Sequence, residues 1–244
     1  MNLTTLPTIA ELDEAARIVY EAMPPTPQYA WPLLAARLGT KVWVKHENHT
    51  PTGAFKVRGG LVYFSRLAAA EPRCPGVVSA TRGNHGQSIG FAARRHALAA
   101  TIVVPHGNSR EKNAAMRALG VELIEHGDDF QEAREFAGRL AAERGLRFVP
   151  SFHRDLVLGV ASYCMEFLRA VPDLEPFPFD LYAGRFNNAQ RSRGNLGTDT
   201  IAGNESDPVR HEKIISLPLP FGYYFLPLSF LAGFTVGGRH RSHS

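Results

Sequence analysis

Over residues 1–175 the chain alternates between short apolar runs and longer segments in which apolar residues recur at helical spacing. Residues 8–22 have apolar positions every three or four residues behind Thr8, and they predict an amphipathic helix with a threonine N-cap. Residues 41–45 alternate between polar and apolar side chains, which predicts a strand. A further helix is predicted to begin at Lys56 and to continue through the apolar residues 61–64.

From residue 76 onward, short apolar strands alternate regularly with helices. The predicted strands are 76–80, 101–105, 121–124 and 147–150, and the predicted helices are 87–96, 109–119 and 128–144. This alternation predicts an α/β fold with a parallel sheet and helical crossovers. Ligands of such sheets bind at the carboxyl ends of the strands. We therefore expect a site where polar segments follow the strands.

Two glycine-containing segments follow predicted strands in this way. Residues 51–60 (PTGAFKVRGG) follow the strand 41–45, and residues 81–87 (TRGNHGQ) follow the strand 76–80. Most single lysines are solvated charges on a helix surface, but Lys56 lies among small and apolar neighbours. Desolvation there disfavours the ammonium form, and a neutral amine can form a Schiff base with an aldehyde cofactor. The second segment turns into a helix, which suits the binding of an anion.

Together, these two segments resemble those of the threonine/serine dehydratase family, a group of fold-type II pyridoxal-phosphate enzymes related to tryptophan synthase β. The resemblance covers about residues 1–175 and ends near Glu175. It implies the fold-type II architecture, pyridoxal 5'-phosphate as cofactor, and a small amino-acid substrate, L-threonine or L-serine. The implied reaction is β-elimination to a 2-oxo acid and ammonia, as in a threonine ammonia-lyase. Racemases and β-replacing enzymes share both segments and stay alternatives.

The resemblance also implies roles for individual residues. Lys56 would hold the cofactor as a Schiff base and later act as the base at Cα, with Phe55 packed behind the cofactor ring. Asn84 would hydrogen-bond to the ring hydroxyl. The residues implied for the substrate carboxylate, mainly through backbone N–H groups, are Thr81, Gly83, Asn84 and His85. For His85 we favour this backbone role over that of a general base. No metal ligands are expected.

The resemblance divides the chain into four parts. These are residues 1–45 (amino-terminal segment of the larger domain), 46–152 (smaller α/β domain), 153–175 (start of the carboxyl half of the larger domain) and 176–244 (atypical tail). Alanine falls from 26 residues in 1–175 to 4 in 176–244. The glycine-rich loop that should cradle the cofactor phosphate has only Gly184 as a counterpart in 176–185. We therefore expect an incomplete larger domain.

We interpret this change near residue 175 as a frameshift, an insertion junction or a truncated gene. A catalytically inactive remnant of the family is accordingly an alternative to an active lyase. The unfinished domain would leave apolar faces uncovered, which predicts self-association into a homo-oligomer.

Residues 214–238 carry no charge over 25 positions, the length of a membrane span. Pro218, Pro220 and Pro227 would interrupt such a helix, so we disfavour a span but keep a membrane-associated or partner-binding tail as a further alternative. The net charge of +4 comes from scattered residues, which argues against nucleic-acid binding. Two cysteines and an amino terminus unlike a signal peptide fit the reducing cytoplasm.

Overall fold

The computed structural model describes residues 6–38 and 41–172, and residues 234–237 as backbone. The helices of this part are α1 Ile9–Tyr20, α2 Pro32–Leu38, α3 Lys56–Ala70, α4 Asn84–Arg95, α5 Arg110–Ala118, α6 Phe130–Arg144 and α7 Arg154–Ala170. The strands are β1 Gln28–Ala30, β2 Lys41–Lys45, β3 Val77–Ala80, β4 Ala100–Val104, β5 Glu122–Glu125, β6 Arg147–Phe148 and β7 Phe234–Gly237. A 3-10 turn in this part of the chain, Glu47–His49, lies between β2 and α3.

Four strands form a parallel sheet in the order β5-β4-β3-β6. Every residue of β3 and β4 is buried, as strands covered by helices on both faces require. One face packs against α6 through residues such as Val78, Val103 and Leu140. The other packs against α3 and α4 through Phe64 and Ile89. The structure thus confirms the predicted α/β fold with a parallel sheet and helical crossovers.

A second layer of helices lies on the far side of α3. Helices α1, α3 and α7 share a core that includes Val19, Val57, Val62 and Leu158. Helix α3 therefore packs against α4 on one side and against α1 and α7 on another, which explains why nine of its residues are buried. Helix α1 begins as predicted at Thr8, whose side chain accepts a hydrogen bond from Glu11 N in a capping box.

Two details of the prediction are wrong. Strand β2 forms where expected, but it lies in a separate antiparallel sheet of order β1-β2-β7, so Lys56 does not follow a strand of the parallel sheet. The short connection from β1 allows antiparallel pairing, whereas a parallel partner needs a crossover of a dozen or more residues. Helix α4 begins at Asn84 rather than Gln87, because Gly83 serves as its N-cap.

Several predictions concern residues that are not described. The expected phosphate-loop segment 176–185 lies outside the described residues, as does all of 214–238 except the backbone of β7. The four-part domain division likewise stays a prediction. Among the described residues, no helix combines the length and apolar character that a membrane crossing needs.

The backbones of α3 and α7 touch at two glycines. A Cβ at Gly59 would lie 2.6 Å from the carbonyl oxygen of Leu156, and a Cβ at Gly159 would overlap the carbonyl oxygen of Arg58. Because both obstacles are backbone atoms inside helices, the clash cannot be relieved by turning a side chain. A glycine at each position is what allows the two helices to approach this closely.

We therefore expect Gly159→Ala to lower the free energy of unfolding by about 1–3 kcal/mol or more, as overpacking does. The matched control is Gly138→Ala in α6, where an added Cβ meets nothing within 4 Å. That change should raise stability by up to about 1 kcal/mol through helix propensity. Urea unfolding at neutral pH measures both, and equal effects of the two substitutions would contradict the close approach.

Candidate active site

Lys56 is the first residue of α3, and the turn before it is closed locally. Thr50 Oγ1 accepts a hydrogen bond from Ala54 N at 2.9 Å, and Gly53 takes a φ of 65°, which a side chain would disfavour. The carbonyl of Lys56 accepts a hydrogen bond from Ser88 Oγ of α4 at 2.6 Å. The turn and this bond hold the beginning of α3 against the first turns of α4.

The Lys56 side chain is half-buried. Burial lowers the pKa of its amine below the usual lysine value, since the ammonium loses hydration. Its Nζ lies 5.8 Å from the centroid of the Phe55 ring. Phe55 itself is buried and packs at a tilted angle against Tyr163 of α7, with ring centroids 6.3 Å apart. Phe55 therefore forms an apolar wall beside the amine.

The other predicted site residues lie at or just before the start of α4. Thr81 Oγ1 accepts a hydrogen bond from Gly83 N at 3.2 Å, while Thr81 N donates to Val103 O at 3.1 Å. A Cβ on Gly83 would lie 2.7 Å from Cδ of Lys112, whose stem crosses this glycine. Asn84 is half-buried as the first helical residue. The N–H groups in the first turn of an α-helix have no partner within the helix, so a helix start of this kind favours an anion.

His85 lies deeper, with 7% of its surface exposed. Its imidazole lies near the backbone of Pro150. In the part of the chain that the structure describes, Nε2 of His85 is buried without a hydrogen-bond partner. Burial, and then the nearby charge of Lys56, lower its pKa to about 4. His85 is therefore neutral near pH 7.

The structure thus brings together both sequence segments. Lys56 and His85 are close enough to interact electrostatically, and the Ser88 hydroxyl ties α4 to the backbone of Lys56. The arrangement combines an amine of lowered pKa, an apolar wall and the amino terminus of a helix. It can hold an aldehyde through the amine and an anion through the backbone N–H groups.

One group near the site was missed from the sequence. Arg58, two residues after Lys56, is completely buried. It makes a bidentate pair with Glu47, with Nε to Oε2 at 2.7 Å and Nη2 to Oε1 at 3.0 Å. A second bidentate pair joins it to Glu166, with Nη1 to Oε1 at 2.6 Å and Nη2 to Oε2 at 3.0 Å. The sequence pattern that could have indicated this buried arginine is its position among apolar and small residues at the start of α3.

Further polar groups complete this buried cluster, which we call the Arg58 cluster: Thr26, Lys45, Glu47, Arg58, Ser162 and Glu166. Lys45 Nζ lies 2.6 Å from Glu166 Oε2 and donates to Thr26 O at 2.6 Å. Thr26 Oγ1 donates to Glu47 Oε1 at 2.6 Å. Two cations thus face two carboxylates. Burial alone would raise the pKa of Glu166, but hydrogen bonds from Arg58 and Lys45 outweigh it and the pKa is lowered.

Comparison with known proteins gives the family. A family model described as "Pyridoxal-phosphate dependent enzyme" matches residues 19–179. The chain belongs to this family. Its members use pyridoxal 5'-phosphate, so the cofactor expected from the sequence is confirmed at the level of the family. The resemblance to threonine/serine dehydratases is confirmed as well.

Individual members of the family agree. L-threonine dehydratase biosynthetic IlvA of Haemophilus influenzae is 36% identical over 181 residues, covering 71% of this chain and 35% of that protein. The processed form of threonine deaminase isoform 2 from Solanum lycopersicum has a TM-score of 0.61 at 30% identity, covering 71% of this chain and 52% of that chain. A pyridoxal 5'-phosphate-dependent aspartate racemase has a TM-score of 0.66 at 28% identity, covering 69% and 54%.

The chain therefore spans about a third of the length of the first of these relatives and about half the length of the two structures. The described residues fit the aldehyde end of the cofactor, because Lys56 offers a desolvated amine beside the apolar Phe55. The expected counterpart of the phosphate loop lies outside the described residues. The roles of Lys56, Phe55, Thr81, Gly83, Asn84 and His85 stay predictions.

The Arg58 cluster yields a stability prediction. Glu166→Gln leaves two buried cations with one carboxylate, which should lower the free energy of unfolding by about 3–5 kcal/mol at neutral pH. The loss should shrink as the pH falls through the lowered pKa of Glu166, because protonation then discharges the wild-type carboxylate too. Urea unfolding over a pH series measures this.

The control is Asp13→Asn, which breaks the exposed pair between Asp13 and Arg169 (Oδ1 to Nη2, 2.6 Å) that also joins α1 to α7. It should change stability by less than about 1 kcal/mol. Comparable losses in the two variants would contradict the assignment of a buried, fully paired cluster.

His85 yields a prediction for a buried group that is neutral rather than charged. Its pKa of about 4 in the folded protein lies below the ordinary histidine pKa of 6.5, so the unfolded chain binds the extra proton first as the pH falls. The stability that neutral His85 contributes is present above pH 6.5 and is lost between 6.5 and about 4. In His85→Phe this component should be absent. Unfolding titrations across that window would refute the burial if both proteins showed the same pH dependence.

Proposed function

We propose that this protein is a pyridoxal-phosphate-dependent ammonia-lyase that acts on a β-hydroxy amino acid, L-threonine or L-serine. The products would be ammonia and a 2-oxo acid. The observation that carries the proposal is the desolvated amine of Lys56 at the start of α3, where the backbone carbonyl of Lys56 is hydrogen-bonded to Ser88 of α4. The 36% identity to a threonine dehydratase supports the choice of substrate class.

Lys56 has two tasks in this proposal. Its amine would hold the aldehyde of the cofactor, and the free amine would remove the proton from Cα of the substrate. Pyridoxal phosphate, when bound, supplies the electron sink that makes this proton acidic. Burial helps because a lysine of lowered pKa is neutral, and hence able to accept a proton, at a lower pH than an exposed one.

The start of α4 would orient the substrate. The first turn of α4 has no side-chain cap, so the backbone N–H groups of Asn84 and His85 would bind the substrate carboxylate without a side-chain cation. The hydroxyl of Thr81 already supports Gly83 N, which keeps this terminus in shape. The Asn84 carboxamide would bond to the ring hydroxyl of the cofactor. Phe55 would exclude water from the amine.

The chain spans about a third of the length of the dehydratase it matches. We propose the four-part division of the chain and an atypical tail from residue 176, with a catalytically inactive remnant as the alternative. We also propose that the protein self-associates into a homo-oligomer. Leu33 and Phe152 are 86% and 63% exposed, as expected for surfaces that another part of the chain or another copy would cover.

A racemase is the second candidate. The aspartate racemase with a TM-score of 0.66 has the same fold, and removal of a proton from Cα begins both reactions. Racemisation returns the proton to the opposite face, whereas elimination expels the hydroxyl. Chiral analysis of the amino acid that remains after incubation separates the two, because only a racemase forms the D-isomer without loss of ammonia.

The proposal predicts a visible absorbance band when pyridoxal phosphate is added to the purified protein. The band should be absent in Lys56→Ala and present in Lys41→Ala, which removes an exposed lysine from β2. Addition of L-threonine should release 2-oxobutanoate from the wild type and from Lys41→Ala, which form the band, and not from Lys56→Ala. A band without product would favour the inactive remnant, and a band that survives in Lys56→Ala would refute the role of Lys56.

A further inference from the structure

The hydroxyl of Ser88 in α4 is bonded directly to the backbone of Lys56. Ser88 is completely buried, and its Oγ donates a hydrogen bond of 2.6 Å to the carbonyl oxygen of Lys56. Neither group can exchange this bond for one to water without opening the contact, because the donor is shielded from solvent. In an α-helix the carbonyl of one residue also accepts the N–H of the fourth residue after it, which here is Gly60. Ser88 therefore adds a second bond, from another helix, at the first turn of α3.

The two helices come close enough for this bond because residue 60 is glycine. A Cβ at Gly60 would overlap Ser88 Oγ and would lie 2.9 Å from the carbonyl oxygen of Ser88. The second obstacle is a backbone atom inside α4, so any side chain at residue 60 would push the helices apart. The bond from Ser88 thus belongs to a contact in which the backbones of α3 and α4 approach each other closely.

Ser88 also lies one helical turn after Asn84, the first residue of α4. Residues four positions apart lie on the same face of a helix. The face of α4 that bonds to the carbonyl of Lys56 is therefore the face that carries Asn84. It follows that the bond from Ser88 sets the distance between the start of α3, which carries Lys56, and the start of α4, which carries Asn84.

The cofactor makes this distance important. In pyridoxal phosphate the aldehyde and the ring hydroxyl are attached to neighbouring carbons of the ring. In the proposed function Lys56 holds the aldehyde and Asn84 bonds to the hydroxyl, so the two side chains must reach two points whose separation the ring dictates. We propose that Ser88 is a positioning residue that holds Lys56 and Asn84 at the distance this pair of groups requires. This inference rests on the proposed function.

The test measures binding of the cofactor rather than turnover. 3-Deoxypyridoxal phosphate has the aldehyde and the phosphate but lacks the ring hydroxyl. Equilibrium dialysis of the purified protein against each compound gives two Kd values. The measured quantity is the preference, the Kd of 3-deoxypyridoxal phosphate divided by that of pyridoxal phosphate. A general loss of stability weakens the binding of both compounds alike and leaves the preference unchanged.

In Ser88→Ala the preference should fall by roughly twofold to tenfold, the range of one neutral hydrogen bond, because Asn84 is no longer held opposite the hydroxyl. The matched control is Ser79→Ala. Ser79 is also buried, and its Oγ donates to the carbonyl of Val149 at 2.7 Å, so this variant loses the same kind of bond. That bond joins β3 to the residue after β6, and its loss should leave the preference unchanged.

Three results would overturn the inference while the absorbance band with pyridoxal phosphate still upholds the proposed function. They are an unchanged preference in Ser88→Ala, equal falls in Ser88→Ala and Ser79→Ala, and a wild type that binds both compounds equally well. A wild type that binds neither compound overturns the inference and the proposed function together.

Two further variants sharpen the test. Asn84→Ala should itself lower the preference, and adding Ser88→Ala to it should lower the preference no further, because both changes disturb the same contact. A further fall would show that Ser88 acts elsewhere. Ser88→Cys covers the case in which Ser88→Ala does not fold, since it fills the space with a thiol that is only a weak donor. The preference should fall in this variant too, and a wild-type preference would overturn the inference.

Discussion

The double pairing of Arg58 with Glu47 and Glu166 is the interaction on which the arrangement of this protein depends. Its guanidinium reaches the 3-10 turn on one side and α7 on the other, while it belongs to the same helical turn as Lys56. Lys45 and Thr26 extend the bonds to β2 and to the segment before β1. Elements separated by more than a hundred residues are thereby fixed around the start of α3.

A fully buried arginine is costly to desolvate, and it is tolerated here because its donors meet carboxylate or hydroxyl oxygens at hydrogen-bond distance. Apolar residues of the same volume could fill the space, but they would not fix the orientation of the elements that pack around Arg58. Each bidentate pair sets both the distance and the plane of the partner. We infer that the Arg58 cluster orients the start of α3, whereas the apolar cores around Val57 and Phe64 supply most of the stability.

The sequence was sufficient for most elements of residues 8–150, because buried strands and amphipathic helices have distinct periods. It also indicated Lys56 and the segment around Asn84, since an isolated lysine among apolar residues and a glycine-bounded turn are local patterns. Other features are not local. Glu166, one of the two carboxylate partners of Arg58, lies 108 residues away. Strand β1 has three residues, too few for a periodic signal, and its pairing decides the sheet to which β2 belongs.

The burial of His85 could not be foreseen for the same reason. Its ring lies near the backbone of Pro150, and Pro150 comes close because β6 pairs with β3 in the sheet. Likewise, the N-cap position of Gly83 and the crossing of Lys112 over it follow from tertiary packing. Family resemblance named these residues as a group, while the physical role of each depends on neighbours distant in sequence.

The glycine contact between α3 and α7 has a mechanical consequence. Where helix backbones touch, no flexible side chain lies between them to absorb a displacement, so neither helix can slide without carrying the other. Two anchors reinforce this, the glycine pair and the bonds from Arg58 to Ser162 and Glu166. Any rearrangement of α3 would therefore have to move Lys56 and α7 as one body, so the position of Lys56 relative to α7 would stay fixed.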